Sequence, residues 1–117
     1  MTMTAWDAVR WIDDKKHNVY SLEDKLRWLS QVETMAAELR GRFGEQREPI
    51  ELEPDTVLSI PEPYDGLYLR WLEAQIDYTG QEYLKYNNAM AMFTSLWREY
   101  ANAVCRSTAL RGQRKFF

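Results

Sequence analysis

The sequence predicts an all-α fold: about four helices in a small bundle, with a Pro- and acid-rich insertion between the second and third. Three observations carry this. Apolar residues recur at three- and four-residue steps through most of the chain. Thr4 and Ser21 stand just before such runs, where helix N-caps belong. All four prolines (Pro49, Pro54, Pro61 and Pro63) fall in one central stretch, so the periodic segments are free of the residue that breaks helices. At 117 residues the chain reads as a single domain, 1–117.

The first helix starts from Thr4. Ala5, Ala8, Val9 and Ile12 share one face, and Asp7 sits in the first turn, where a carboxylate suits the helix dipole. Lys15, Lys16 and His17 close the segment with cations, and Asn18 is expected to take a left-handed cap conformation. The second helix starts from Ser21, with Asp24 three residues on as a shortened capping box and Val19 or Tyr20 as a staple. Leu22, Leu26, Leu29, Val32, Ala36 and Leu39 form its apolar stripe, flanked by Trp28 and Met35, and Glu23 with Arg27 makes an i,i+4 pair. Gly41 and Gly44 stop this helix near Arg40.

Residues 41–63 differ in kind. Glu45, Glu48, Glu51, Glu53, Asp55 and Glu62 dominate, while Ile50, Leu52, Val57, Leu58 and Ile60 partly alternate. An extended arm or hairpin-like element is expected, kept off any central strand by its prolines. From Tyr64 a near-heptad seam runs through Tyr68, Leu72, Ile76, Thr79, Tyr83, Tyr86, Met90, Phe93, Trp97, Tyr100 and Val104. One unbroken helix over 64–106 would be about 65 Å long, too long for a compact domain of this size. Thr79-Gly80 is costly in a helix interior, so two helices, or a sharp kink, are expected at 79–81. Residues 107–117 read as a basic, flexible tail.

Composition narrows the function. One cysteine cannot form an internal disulfide, and one histidine with one cysteine cannot make a usual tetrahedral zinc site. No apolar run approaches 18 residues, so no membrane partner is expected. His17 lies among Lys15, Lys16 and Asn18 as a solvated helix end, and Cys105 lies beside the seam with no base in view. Glu73 and Asp77 share a helix face at i,i+4, with Arg70 and Lys85 near enough to pair with them as surface salt bridges. Residues 41–44 are too short for a phosphate loop. A helix-turn-helix reader needs a basic face, yet residues 22–39 hold only Lys25 and Arg27 against Glu23, Asp24, Glu33 and Glu38. The reading is therefore not an enzyme, with no catalytic, cofactor-binding or metal residues expected.

Two positive signals remain. Sixteen aromatic residues (five Trp, seven Tyr and four Phe) are many for one small core, which points to some at a protein interface. Charge is also uneven. Residues 1–105 carry 11 − 18 = −7, and residues 106–117 carry +4 from Arg106, Arg111, Arg114 and Lys115. A basic end on an acidic body can pair with another subunit or touch a polyanion.

Two stretches together carry a resemblance. One is WIDDKKHNVYS at 11–21, running on to KLRWL at 25–29. The other is IPEPYDGLY at 60–68, continuing through AQIDY at 74–78 to YNNAMAMF at 86–93. They resemble the head–tail connector (adaptor) proteins of tailed phages and prophages of Gram-positive hosts. The resemblance implies a helical subunit that docks on the portal protein and other neck or tail proteins. It also implies self-association into a ring, typically of twelve copies, with transient DNA proximity as DNA passes. The place implied is the virion neck, and the host cytoplasm during assembly. Interface residues by the same analogy are Trp11, Trp28, Tyr64, Tyr68, Arg106, Arg111, Arg114 and Lys115. Rival readings are a small helical regulatory or DNA-associated binding protein and a phage tail-completion or assembly factor.

Overall fold

A computed structural model describes residues 3–40 and 51–115, with side chains described through position 106. Its four helices are α1 (Ala5–Lys15), α2 (Leu22–Leu39), α3 (Gly66–Thr79) and α4 (Tyr83–Lys115). The all-α bundle expected from the periodicity is present, and no strand occurs among the described residues.

The N-terminal caps form where the hydroxyls stand. Thr4 Oγ1 accepts from the Asp7 N–H at 3.1 Å, and the Asp7 carboxylate accepts from the Thr4 N–H at 3.1 Å, a reciprocal capping box. These bonds satisfy groups that the first turn would otherwise leave open. The Thr4 backbone N–H, and then its hydroxyl, hold the Asp7 carboxyl below the usual carboxylate range. Ser21 Oγ accepts from the Asp24 N–H at 3.1 Å, so the shortened box makes its first half. Tyr20 meets Trp28 edge-on at 5.6 Å, whereas Val19 is 89% exposed and staples nothing.

Two local expectations are corrected. Asn18 is not left-handed, since Gln81 is the one described non-glycine with positive φ. Asn18 instead spans the turn with its side chain: its amide donates to the Lys16 carbonyl at 2.9 Å and its Oδ1 accepts from the Tyr20 N–H at 3.2 Å. Arg27 pairs with Asp24 rather than with Glu23, the nearer approach at i,i+3. The helical backbone of α4 runs on to Lys115.

Residues 51–63 do not stand out as an arm. Leu52, Leu58 and Ile60 are buried in the core, while Glu51, Glu53 and Asp55 face solvent. The stretch lies along the N-terminus. Leu58 N–H donates to the Met3 carbonyl, and the Ala5 and Trp6 N–H groups donate to the Thr56 and Pro54 carbonyls. Thr4 and Val57 form one isolated antiparallel bridge, so pairing occurs without a strand. The prolines explain why it goes no further: each removes a ladder donor. Positions 41–50 of the expected insertion lie outside the described residues.

The core joins Ala5, Ala8, Val9 and Ile12 of α1 to Leu29, Val32 and Ala36 of α2 and to Leu67, Tyr68, Leu72 and Ile76 of α3. Phe93 and Tyr100 of α4 close it. Each large apolar side chain buried there contributes roughly 1.5–3 kcal/mol. The long seam breaks at Gly80-Gln81-Glu82 as expected, and α4 folds back along α3. Gln81, with φ of 62°, makes the turn, while Gly80 itself has φ of −82°. A Cβ at Gly80 would stand 3.3 Å from the Ile76 carbonyl oxygen, a tight contact that glycine avoids.

α3 has 14 residues and α4 has 33, so α3 accompanies only the first half of its partner. At 1.5 Å per residue α4 is about 50 Å long. The molecule accordingly measures 55 × 30 × 28 Å, with a radius of gyration of 15.5 Å, larger than the roughly 13–14 Å of a compact domain of this length.

Candidate functional site

The carboxylates that sequence reasoning weighed as a pair, Glu73 and Asp77, are held in ion pairs. Asp77 is 2% exposed, and its carboxylate accepts from the Lys16 ammonium at 2.5 Å. Glu73 accepts from Arg70 at 2.7 Å and pairs with Lys15 at 3.5 Å. These links tie the end of α1 to α3. They are more buried than the surface pairs expected, and Lys85 is not among them, since it pairs with Glu82 at 3.2 Å. Asp13 pairs with Lys25 at 2.5 Å, tying α1 to α2. His17 and Cys105 are exposed. Among the described residues, no three His, Cys, Asp or Glu side chains converge as metal ligands.

The most buried polar junction lies between α2, α3 and the segment before α3. The Tyr68 hydroxyl donates to Glu33 and accepts from the Ile60 N–H at 2.9 Å, and Glu33 Oε2 accepts from the Ser59 N–H at 3.1 Å. Burial, with the adjoining Glu33 carboxylate, pushes the Tyr68 phenol well above its ordinary range, so it stays a donor. The junction is buried at Tyr68, Glu33 and Ile60, and it pins the 51–63 segment onto the helices.

The aromatic residues divide into two groups. Trp71, Phe93, Trp97, Tyr100 and Tyr64 form a chain of ring contacts 4.9–6.1 Å apart between α3, α4 and the loop before α3. Tyr78, Tyr83 and Tyr86 form a second cluster at the tip of the α3–α4 hairpin, with Tyr78 5.8 Å from Tyr83 and 5.1 Å from Tyr86. Tyr78 and Tyr83 are more than half exposed, and so is Leu84 beside them. An exposed aromatic cluster of this kind has the composition of an interface hot spot.

The interface residues named from the sequence fare unequally. Tyr68 is 0% exposed and committed to Glu33, so it is corrected from interface residue to core residue. Trp11, Trp28 and Tyr64 are half-buried against the core. Trp11 also carries the Lys15 ammonium 4.5 Å above its ring, and Tyr64 packs on Tyr100. Arg106 is exposed, and the side chains of Arg111, Arg114 and Lys115 lie outside the described ones. Sequence reasoning missed Trp6, Tyr78, Tyr83 and Leu84, the larger exposed apolar groups. For Tyr83 a signal was present: a seam position next to a helix break loses the neighbour that the periodicity promises it.

No family model, curated protein or solved structure matches this chain. Among the described residues, no helix is long and apolar enough to cross a membrane.

Proposed function

We propose that this chain is a structural assembly subunit of a phage neck, a head–tail connector that docks on the portal and associates into a ring. The observation that carries the reading is the exposed aromatic tip of the α3–α4 hairpin. Tyr78, Tyr83 and Leu84 present side chains that the subunit's own core does not use, and exposed apolar clusters of this kind mark contact surfaces. The assignment to a phage neck rests on the resemblance of residues 11–29 and 60–93 to connector proteins. The acidic body suits a surface past which DNA slides rather than binds.

Electron cryomicroscopy of the parent virion neck tests this. A ring of this chain between portal and tail is the expected result. Absence of the chain from purified particles rejects the reading. Tight, salt-sensitive binding to duplex DNA in a filter assay would instead favour the regulatory, DNA-associated alternative.

A further inference from the structure

A hollow of about 190 Å³ opens where the C-terminal end of α1 meets α3 and the first turns of α4. It is smaller than the roughly 300–1,000 Å³ of sites for drug-sized molecules, so it suits a single small group. Three cations from three elements line it: Lys16, the C-cap of α1, Arg70 of α3 and Lys85 of α4. Asn88 adds an amide.

The cations are fixed by carboxylates. Lys16 donates to Asp77 at 2.5 Å, Arg70 to Glu73 at 2.7 Å and Lys85 to Glu82 at 3.2 Å. Asp77 and Glu73 are 2% and 9% exposed, so both belong to the α1–α3 junction. They also line the hollow and repel an anion, yet each is already answered: Asp77 by Lys16, and Glu73 by both Arg70 and Lys15. The lining groups together with Lys15 and Glu82 give 4 − 3 = +1, in a body whose residues 1–105 sum to −7. Donors are in larger surplus than charge. An ammonium carries three N–H groups and a guanidinium five, and the bonds above take one from each cation.

A ligand that answers this arrangement is an anion with acceptors on every side. A tetrahedral phosphate meets donors arriving from three elements, whereas a carboxylate offers two oxygens in one plane. Arginine and lysine together are the usual donors to phosphate. The ends of the described stretches lie well away. Arg40 bonds Tyr100, about 22 Å along α4 from Lys85, and Arg106 is about 32 Å along the same helix. Pro54 accepts from Trp6, about 15 Å along α1 from Lys16.

We infer that this hollow binds a single phosphate group, free or as the end of a small phosphate monoester, with Lys16, Arg70 and Lys85 as its donors. The inference goes beyond the assembly reading and does not rest on it.

The test is a titration of the purified full-length chain, followed through its backbone amide NMR spectrum at constant ionic strength. The probes are inorganic phosphate, O-phosphoserine and acetate. Phosphate is expected to give saturable shifts confined to the amides around Lys16, 70–77 and 85–92. Lys85→Gln and Arg70→Gln should each weaken binding about tenfold, the loss of one charge-assisted hydrogen bond. Arg98→Gln, at an exposed position farther along α4, should leave binding unchanged. Arg70→Gln also frees buried Glu73, whereas Lys85 pairs at the surface, so Lys85→Gln keeps the test decisive. Spectra that overlay the wild type away from the hollow show that the variants are folded. Phosphoserine binding more tightly than phosphate assigns a monoester, and binding no more tightly assigns free phosphate; either upholds the site. No saturable shift up to about 20 mM phosphate, a range that covers a Kd of about 1 mM, overturns the inference. So do shifts spread over the whole surface, acetate binding as tightly as phosphate, or an affinity that Lys85→Gln leaves intact.

Discussion

Tyr68 and Tyr83 stand on the same seam of the same helical hairpin and meet opposite fates. Tyr68 is buried among three elements, with its hydroxyl shared between Glu33 and the Ile60 N–H. Tyr83 is more than half exposed and touches only Tyr78 among the rings. The spacing that puts both on one face says nothing of what lies opposite. At Tyr68 the opposite side is filled by α2 and the 51–63 segment, whereas Tyr83 stands at the start of α4 with Tyr78 of the same hairpin as its ring neighbour. The first residue holds the fold, and the second is available for contact.

Replacing Tyr68 should have the largest effect. Tyr68→Ala leaves a large cavity and strands Glu33, and should cost about 3–5 kcal/mol in urea unfolding. A cost below about 1 kcal/mol would mean that the junction does not hold the fold. Lys16→Met comes next. It leaves Asp77 buried without its cation, and should cost about 2–3 kcal/mol, discounted because the Lys16 side chain is partly exposed.

Thr4→Ala should cost about 1 kcal/mol through the lost cap. It should also change the acid limb of the stability curve. The folded Asp7 carboxyl lies below its unfolded value, so its contribution is present above the ordinary carboxylate range and is lost as pH falls through the folded pKa. Removing the hydroxyl should make that loss shallower without abolishing it, because the Thr4 N–H still donates to Asp7. A pH series of thermal melts checks this.

At the tip the expected effects are small, and one is favourable. Gln81→Gly should raise stability by about 0.5–1 kcal/mol by relieving the positive φ. Tyr83→Ser should change stability by no more than about 0.5 kcal/mol, while removing part of the proposed contact surface. A large loss for Tyr83→Ser would erase the contrast with Tyr68.

The helices were legible in the sequence because their signals are local. Thr4, Ser21 and the Gly80 break each act within a few residues of themselves, and each stands where an element begins or ends. The exchange of Glu23 for Asp24 as the partner of Arg27 marks the limit of that legibility: both acids lie within reach, and side-chain geometry chooses between them. Residues 51–63 were harder to read. Their acids and prolines suggest an arm, yet Leu52, Leu58 and Ile60 bury themselves in a core made mostly of distant residues. The candidate surfaces were least legible. Tyr78, Tyr83 and Leu84 read as seam or seam-adjacent residues until the hairpin's position in the bundle is known.

The sequence alone determined the helical class, the caps, the break in the long seam and the unequal charge of body and end, because these depend on residue type and spacing. Tertiary structure alone decided that Tyr68 belongs to the core, that Glu73 and Asp77 are tied to α1, and that Glu23 of α2 lines one hollow with Glu51 and Glu53. Those outcomes depend on which elements lie opposite one another, and burial is a property of that arrangement rather than of any residue.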